Sequence, residues 1–295
     1  MRVLILGASG MLGHAMLRVL DETGQLEVYG TLRSGAAKRF FPPRLVGRLR
    51  SGVDAEHQDV LTRLFSELRP AVVVNCVGLV KQLDEANDPL RAIPVNAMLP
   101  HRLARLCALL GARLVHISTD CVFSGEKGDY REGDRVDATD LYGLSKYLGE
   151  VDYPHAITLR TSIIGPELNG AQGLIGWFLQ QRETCQGFTR AVFSGLPTVV
   201  LAQMVRDVII PRTELHGLYH VAASPITKFD LLQLVAEAYG KSIRIIPVDS
   251  PVIDRSLNAG RLQAATGYVA PQWPELIATM HSYFRKMAKQ DHVQG

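Results

Sequence analysis

The sequence predicts an α/β protein: a doubly wound parallel sheet followed by a smaller α+β unit. Three observations carry this. Short apolar runs rich in β-branched residues alternate with longer amphipathic ones through the first half. The first run opens onto a glycine-spaced turn, Gly7-Ala8-Ser9-Gly10-Met11-Leu12-Gly13. Beyond about Gly165 the rhythm breaks into proline-bearing segments and shorter elements. A length of 295 residues suits two domain-sized units.

The strand-like runs are Arg2–Leu6, Leu26–Thr31, Ala71–Cys76, Arg113–Ile117 and Ala156–Arg160. Their length and composition suit strands buried on both faces. Helix-like stretches lie between them at Gly10–Glu22, His57–Leu68, Pro89–Leu110 and Leu141–Val151. Strand alternating with helix predicts right-handed crossovers and helices on both faces of one sheet. In the second half, helices are expected at Leu174–Gln181, Val200–Ile210, Lys228–Tyr239, Leu257–Thr266 and Pro274–Lys289. Strands are expected at Leu218–Val221 and Ile243–Pro247, and a frayed tail at Lys289–Gly295. The expected division is a dinucleotide-binding unit over 1–165, completed by about 198–222, and a mainly substrate-binding unit over 166–295.

Composition excludes several classes. Hydrophobic residues at 47% and charged residues at 21% exclude extensive disorder. The 32 basic and 29 acidic residues leave a net charge of +3, with no electrostatic footprint of a nucleic-acid binder. Cys76, Cys107, Cys121 and Cys185 have no metal-ligand spacing, and a chain this long needs no disulfide staples, so a reducing cytoplasm is expected. The longest uncharged run, Ala191 to Val205, is too short to span a bilayer, and no membrane partner is expected. The N-terminus runs straight into a strand-like segment and reads as no signal peptide. The nine histidines show no metal spacing, so no metal is expected.

The glycine turn follows a buried strand and precedes a helix, which is the context of a Rossmann-like dinucleotide site. One glycine permits the sharp turn, one admits a pyrophosphate to the backbone amides, and one brings helix and strand together. The helix N-terminus then favours the anion. The expected cradle is Gly7, Ser9, Gly10, Met11, Leu12 and Gly13. The second strand ends Val28-Tyr29-Gly30-Thr31-Leu32-Arg33-Ser34, without the carboxylate that a ribose 2′-hydroxyl would require. Arg33 stands where a cation would clamp a 2′-phosphate, which points to NADP(H); the bland alternative is a solvated loop arginine.

Two later segments carry the chemistry. His116-Ile117-Ser118-Thr119-Asp120-Cys121-Val122-Phe123-Ser124-Gly125 ends a buried strand, and Tyr142-Gly143-Leu144-Ser145-Lys146 starts a helix. Tyr142 and Lys146, at i and i+4, share a helix face. A nearby ammonium favours phenolate, so the tyrosine is expected to titrate toward neutrality and to donate its proton to a carbonyl oxygen. Thr119 emerges at a strand's C-terminal end, where open α/β sheets bind ligands, and its hydroxyl can bond the same oxygen. Alone, the Tyr–Lys pair reads equally as a helix surface pair. The order of glycine turn, strand-end threonine and Tyr-x-x-x-Lys is more specific.

Further motifs are Val95-Asn96, Gly149-Glu150, Arg160-Thr161-Ser162, Gly195-Leu196-Pro197-Thr198 and Asp254-Arg255-Ser256-Leu257. With them the sequence resembles the extended short-chain dehydrogenase/reductase superfamily, and within it the dTDP-4-dehydrorhamnose reductases and related nucleotide-sugar reductases. The resemblance spans most of the chain, more loosely towards the C-terminus. It implies NADPH-dependent reduction of the 4-keto group of a nucleotide-linked 4-keto-6-deoxy sugar, in deoxysugar or surface-polysaccharide synthesis. It implies Tyr142 as proton donor, Lys146 as holder of the nicotinamide ribose, and Thr119 as orienter of the ketone. Asp54, Cys76, Val77 and Gly78 would line the cofactor site. Asp120, Cys121, Ser162 and Arg255 would meet the substrate, Arg255 at its pyrophosphate or, blandly, on the surface. A homodimer is compatible with it.

The sequence also departs from that pattern. Rhamnose-pathway reductases usually carry Tyr at Cys121 and an aromatic at Ile163. Cysteine at Cys121 also resembles GDP-fucose synthases, which epimerise before reducing, but Ala171 to Gln181 holds no partner histidine. A small buried cysteine is the plainer reading. Dehydratases usually place Asp-Glu after the strand-end threonine, whereas Thr119-Asp120-Cys121 has only the Asp. The alternatives are thus an epimerase or epimerase-reductase, and a non-catalytic nucleotide-binding regulatory subunit such as the relative that partners methionine adenosyltransferase. His116 reads as a satisfied core histidine, Asp84, Glu85 and Asp88 as a solvated face, and Trp177 and Trp273 as packing.

Overall fold

The computed structural model describes residues 1–79 and 84–292. Its centre is a parallel sheet of β1 (Arg2–Leu6), β2 (Glu27–Leu32), β3 (Leu49–Ser51), β4 (Val72–Asn75), β5 (Arg113–Thr119), β6 (Ala156–Thr161) and a seventh strand, Gly217–His220. The spatial order is Gly217–His220, β6, β5, β4, β1, β2, β3. β1, β4 and β6 are buried apart from the exposed Arg2 that starts β1, and successive residues supply opposite cores. Val3, Ile5, Val72, Val74 and Val115 join one core, and Leu4, Leu6, Val73 and Leu114 the other. That two-residue alternation is the pleat itself, read on a strand covered on both sides.

Helices cover both faces. α1 (Met11–Asp21) follows β1, α2 (Pro43–Val46) is one turn, and α3 (Gln58–Leu68) leads to β4. α4 (Pro89–Ala92) and α5 (Leu99–Leu110) lead to β5, and α6 (Leu141–Leu148) leads to β6. The predicted helix over Pro89–Leu110 is one path with a π-helical segment, Ile93–Met98, inside it. Pro94 and Pro100 lack the N–H that would continue regular i→i−4 bonding. Strand order reverses between β4 and β1, whose ends pair at Leu6 and Asn75. Open α/β sheets bind ligands at such a switch.

After β6 come three small sheets. β7 (Ile163–Ile164) pairs with β10 (Leu196–Pro197), and β8 (Thr184–Phe188) with β13 (Arg244–Val248). β9 (Ala191–Phe193) lies between β12 (Ile226–Thr227) and β14 (Ile253–Asp254). The sheet-edge strand Gly217–His220 is therefore β11. α7 (Leu174–Gln180), α8 (Thr198–Met204), α9 (Lys228–Tyr239), α10 (Gly260–Thr266) and α11 (Trp273–His292) complete the chain. α8 and α11 share the core of α1. The helix expected at Val200–Ile210 again ends in a π segment, Val205–Ile209. α11 runs past the expected end, so Lys289–His292 is helix, and the rest of the predicted tail lies outside the described residues. Asp88 caps α4, accepting from the Leu90 N–H at 2.9 Å. Asp84 and Glu85 stand in a short 3-10 turn, with side chains outside the described set. Trp273 packs on Phe193 and donates to the Ser224 carbonyl at 2.7 Å.

Gly13 sets how closely α1 approaches β1, because a Cβ there would run into the Gly7 carbonyl. Gly13→Ala is expected to cost about 1–3 kcal/mol, since that backbone cannot step aside freely. A thermal melt would show it as a lowered Tm. Gly47→Ala, where nothing lies within 4 Å, is the silent control.

Candidate active site

Gly7 leaves β1 at φ +78°, a left-handed turn. Its N–H donates to the Thr31 hydroxyl at 3.0 Å, and the Ala8 N–H to the Thr31 carbonyl at 3.0 Å. The glycine turn is thus tied to the end of β2, two residues before Arg33. α1 has no side-chain N-cap and no acidic residue in its first turn, so its first N–H groups are left to an anion. Ser9 and Gly10 are exposed over it, Met11 is half-buried and Leu12 is buried. A Cβ on Gly10 would meet only ordinary contact with Gly7, so the open side of that glycine faces away from the fold. These features fit a dinucleotide pyrophosphate. Arg33 is exposed just beyond β2. Asp54 follows β3, where its carboxylate accepts from the Glu56 N–H at 3.0 Å and lies 3.6 Å from His57.

The end of β4 closes the other wall. The Asn75 side chain accepts from the Val77 N–H at 3.1 Å and bonds His116 Nδ1 at 3.1 Å. Val77 and Cys76 abut Gly7. A Cβ on Gly78 would sit 3.7 Å from the Lys146 ammonium, so the cofactor wall and the lysine meet there. Burial pushes the Cys76 thiol up to about 12, which leaves it an inert wall group.

Lys146 is 6% exposed and donates to the Ile117 carbonyl on β5 at 2.9 Å. Burial pulls its ammonium down to about 8, with Glu150 and Cys76 opposing. Tyr142, one turn earlier, lies within hydrogen-bond reach of the Thr119 hydroxyl, whose one proton goes to Asp120 at 3.1 Å. Here the structure corrects the sequence argument. Burial pushes the Tyr142 phenol above its ordinary value, Cys121, Asp120 and Asp140 add to that, and only Thr119 opposes. Lys146 does not pull the phenol toward neutrality, because its ammonium is turned to Ile117. The phenol therefore keeps its proton at neutral pH, the form that can donate.

Thr119 caps the turn after β5, accepting from the Cys121 N–H at 3.1 Å. Cys121 is half-buried and close enough to Tyr142 to act on its charge. Asp120 is buried, which raises its carboxyl above the usual range against the pull of Arg255, Thr119, Cys121 and Lys228. Arg255 reaches across from the end of β14 and donates through Nε to the Phe123 carbonyl at 2.7 Å, so it stands at the site rather than loose on the surface. Ser162 carries the backbone junction to β10, accepting from the Leu196 N–H at 2.9 Å, and has its side chain half-buried. His116 is wholly buried and held neutral by burial; its Nε2 has no hydrogen-bond partner, so it is not the fully satisfied core histidine expected.

Sequence reasoning gave no chemical role to three residues the fold brings here. Asn96, in the π segment, donates to the Ser145 hydroxyl at 3.2 Å and accepts from the Leu79 N–H at 3.0 Å. Ser145 in turn donates to the Tyr142 carbonyl at 2.9 Å. A buried Asn beside proline in an apolar helix was the available signal. Lys228, at the start of α9, acts here only through its charge on Asp120, and it left none.

Residues 1–282 match the family profile described as RmlD substrate binding domain. The chain is 26% identical over 308 residues to a dTDP-4-dehydrorhamnose reductase of Aggregatibacter actinomycetemcomitans, covering 96% of this chain and 99% of that one. It is also 26% identical over 275 residues to the methionine adenosyltransferase 2 subunit beta of Bos taurus, covering 85% and 77%. The fold is similar to that of a dTDP-4-dehydrorhamnose reductase of Bacillus anthracis in complex with NADP, with a TM-score of 0.78 at 23% identity over 95% of this chain and 98% of that one.

Proposed function

The chain belongs to the RmlD substrate binding domain family, and on that footing we propose that it is an NADPH-dependent reductase of the 4-keto group of a nucleotide-linked 4-keto-6-deoxy sugar, working in deoxysugar or surface-polysaccharide synthesis. The observation that carries the reading is the convergence of Thr119, Tyr142 and Lys146 beside the glycine cradle. NADPH, when bound, supplies the hydride for the carbonyl carbon. Tyr142 donates its phenolic proton to the carbonyl oxygen, and Thr119 orients that oxygen with its hydroxyl. Lys146 holds the ribose, its ammonium oriented by the Ile117 carbonyl. Gly7, Ser9, Gly10, Met11, Leu12 and Gly13 cradle the pyrophosphate, with Asp54, Cys76, Val77 and Gly78 completing the wall. Asp120, Cys121, Ser162 and Arg255 face the sugar nucleotide.

Adding a panel of dTDP-, UDP- and GDP-4-keto-6-deoxy sugars and following NADPH absorbance tests the reaction. Oxidation of NADPH by at least one supports it, and silence across the panel refutes it. Arg33 gives a separate check. With no carboxylate at the end of β2, NADPH should bind more tightly than NADH in a fluorescence titration. Arg33→Glu should lose roughly tenfold or more in NADPH affinity, a charge-assisted contact to the 2′-phosphate being worth about 1.5–3 kcal/mol. Tighter NADH binding by the parent protein would contradict the assignment.

The division of labour is read as cofactor binding over 1–165, completed by about 198–222, and substrate closure mainly over 166–295. Among the described residues no helix is long and apolar enough to cross a membrane. Four free thiols support a cytoplasmic setting. A homodimer is supported by exposed apolar side chains on adjoining helices, Leu90, Met98, Leu144, Tyr147 and Leu148, and light scattering tests it.

A further inference from the structure

We propose that Glu150 is a positioning residue for this reaction: gripped by Ser118 and Arg160, its carboxylate sets the placement and the charge of Lys146. The proposal rests on the reductase reading of Lys146 given above.

Ser118 on β5 and Arg160 on β6 are register partners, so their side chains stand together on one face of the sheet. Both take hold of Glu150, two residues beyond the end of α6. The Ser118 hydroxyl donates to Oε1 at 2.7 Å. Arg160 donates through Nε to Oε1 and through Nη2 to Oε2, each at 2.6 Å. This is a two-pronged guanidinium–carboxylate pair, with side chains only 3% and 10% exposed. Arg160 is itself braced. Its guanidinium lies over the Phe123 ring at 5.2 Å, and Nη1 is 3.4 Å from His220 Nε2.

Glu150 stands four residues after Lys146, just past the C-cap Gly149. The two are fastened to consecutive residues of β5, Lys146 to the Ile117 carbonyl and Glu150 to the Ser118 hydroxyl. The next residue of that strand is Thr119. The far end of α6 is therefore pinned to the strand that presents the ketone-orienting hydroxyl, which fixes Tyr142 against Thr119. The groups facing Lys146 are Cys76 just after β4, His116 from β5, and Glu150. His116 is neutral and Cys76 keeps its proton, so Glu150 is the anion of this set. Beyond it lie Arg160, His220 and Glu132. A buried ion pair that merely tied loop to sheet would hold the helix without acting on the lysine.

The test is the pH profile of kcat in the full chain. Glu150→Gln preserves volume and the bond from Ser118 but removes the charge. Its alkaline limb should move to lower pH by about 1 unit, the low end of what losing one nearby opposite charge does. Glu150→Asp should keep the limb in place while lowering kcat, because the retained charge sits on a shorter arm. A Glu150→Gln limb that coincides with the parent's, whatever its kcat or Tm, overturns the proposal. If Glu150→Gln does not fold, Ser118→Ala carries the test, since it leaves the ion pair intact. A several-fold lower kcat with an unmoved limb supports the anchor, and parental kcat overturns it. A parent enzyme lacking any limb near the Lys146 transition, with Lys146→Met turning over normally, would instead show that the reading of Lys146 is wrong, and the proposal would fall with it.

Discussion

Tyr142→Phe is expected to lower kcat by about 10²–10⁴-fold, the usual contribution of a positioned general acid. The substitution removes one oxygen and keeps the ring, so the packing around α6 should hold. NADPH affinity should stay within about twofold, because the glycine turn, Arg33 and Lys146 are untouched. The measurement is single-turnover reduction alongside a fluorescence titration of NADPH. A loss in kcat with an unchanged cofactor titration places the defect in the proton transfer. The effect should be large because the alternative donors are poor. Asp120 is nearby, with a carboxyl raised by burial, but it is engaged by Thr119 and lies under the pull of Arg255. Cys121 is close, yet a thiol is a far weaker hydrogen-bond donor than a phenol. Turnover surviving in Tyr142→Phe would transfer the role to one of these two.

The backbone plan was legible because it is written in period and punctuation. Val3–Leu6 is apolar without alternation, so it had to belong to a strand covered on both faces, and β1 is found there, begun by the exposed Arg2. The glycines at 7, 10 and 13 marked the turn because their spacing answers a steric demand, which the Gly13–Gly7 approach makes visible. What stayed hidden depends on contacts between distant segments. β3 is three residues, Leu49-Arg50-Ser51, at the sheet edge, too short for any period. The π segment at Ile93–Met98 left only prolines as a trace, and its consequence, Asn96 bonded to Ser145, spans 49 residues. Lys228 acts on Asp120 through its charge from the start of α9, more than a hundred residues along the chain, which no local pattern foretells. The phenol's titration depends on such contacts too. Spacing put Lys146 on the face of Tyr142, but not the carbonyl of Ile117 that turns the ammonium away.

The pH dependence of kcat separates these two titrations. A tyrosine titrating near neutrality would lose its proton as pH rises through about 7, ending its use as an acid there. The structure orders the groups differently. The phenol is held above its ordinary value and stays protonated, whereas the Lys146 ammonium is brought down to about 8. Below about 8 the ammonium is charged and kcat should be flat on this account; above it the charge is lost and kcat should fall. His116, held neutral by burial, contributes no transition in that range. Lys146→Met should therefore do two things. It should reduce kcat by about 10²–10³-fold, as expected for losing a preorganised charge at the reacting centre, and it should abolish the alkaline limb near 8. Losing only the amplitude, with the limb kept, would assign the limb to another group. The cofactor discriminates further. The ammonium is the contact expected to hold the ribose, so Lys146→Met should also weaken NADPH binding, whereas Tyr142→Phe should not. Two variants one helical turn apart then separate proton donation from cofactor holding, a division that follows from the lysine bonding Ile117 while the tyrosine faces Thr119.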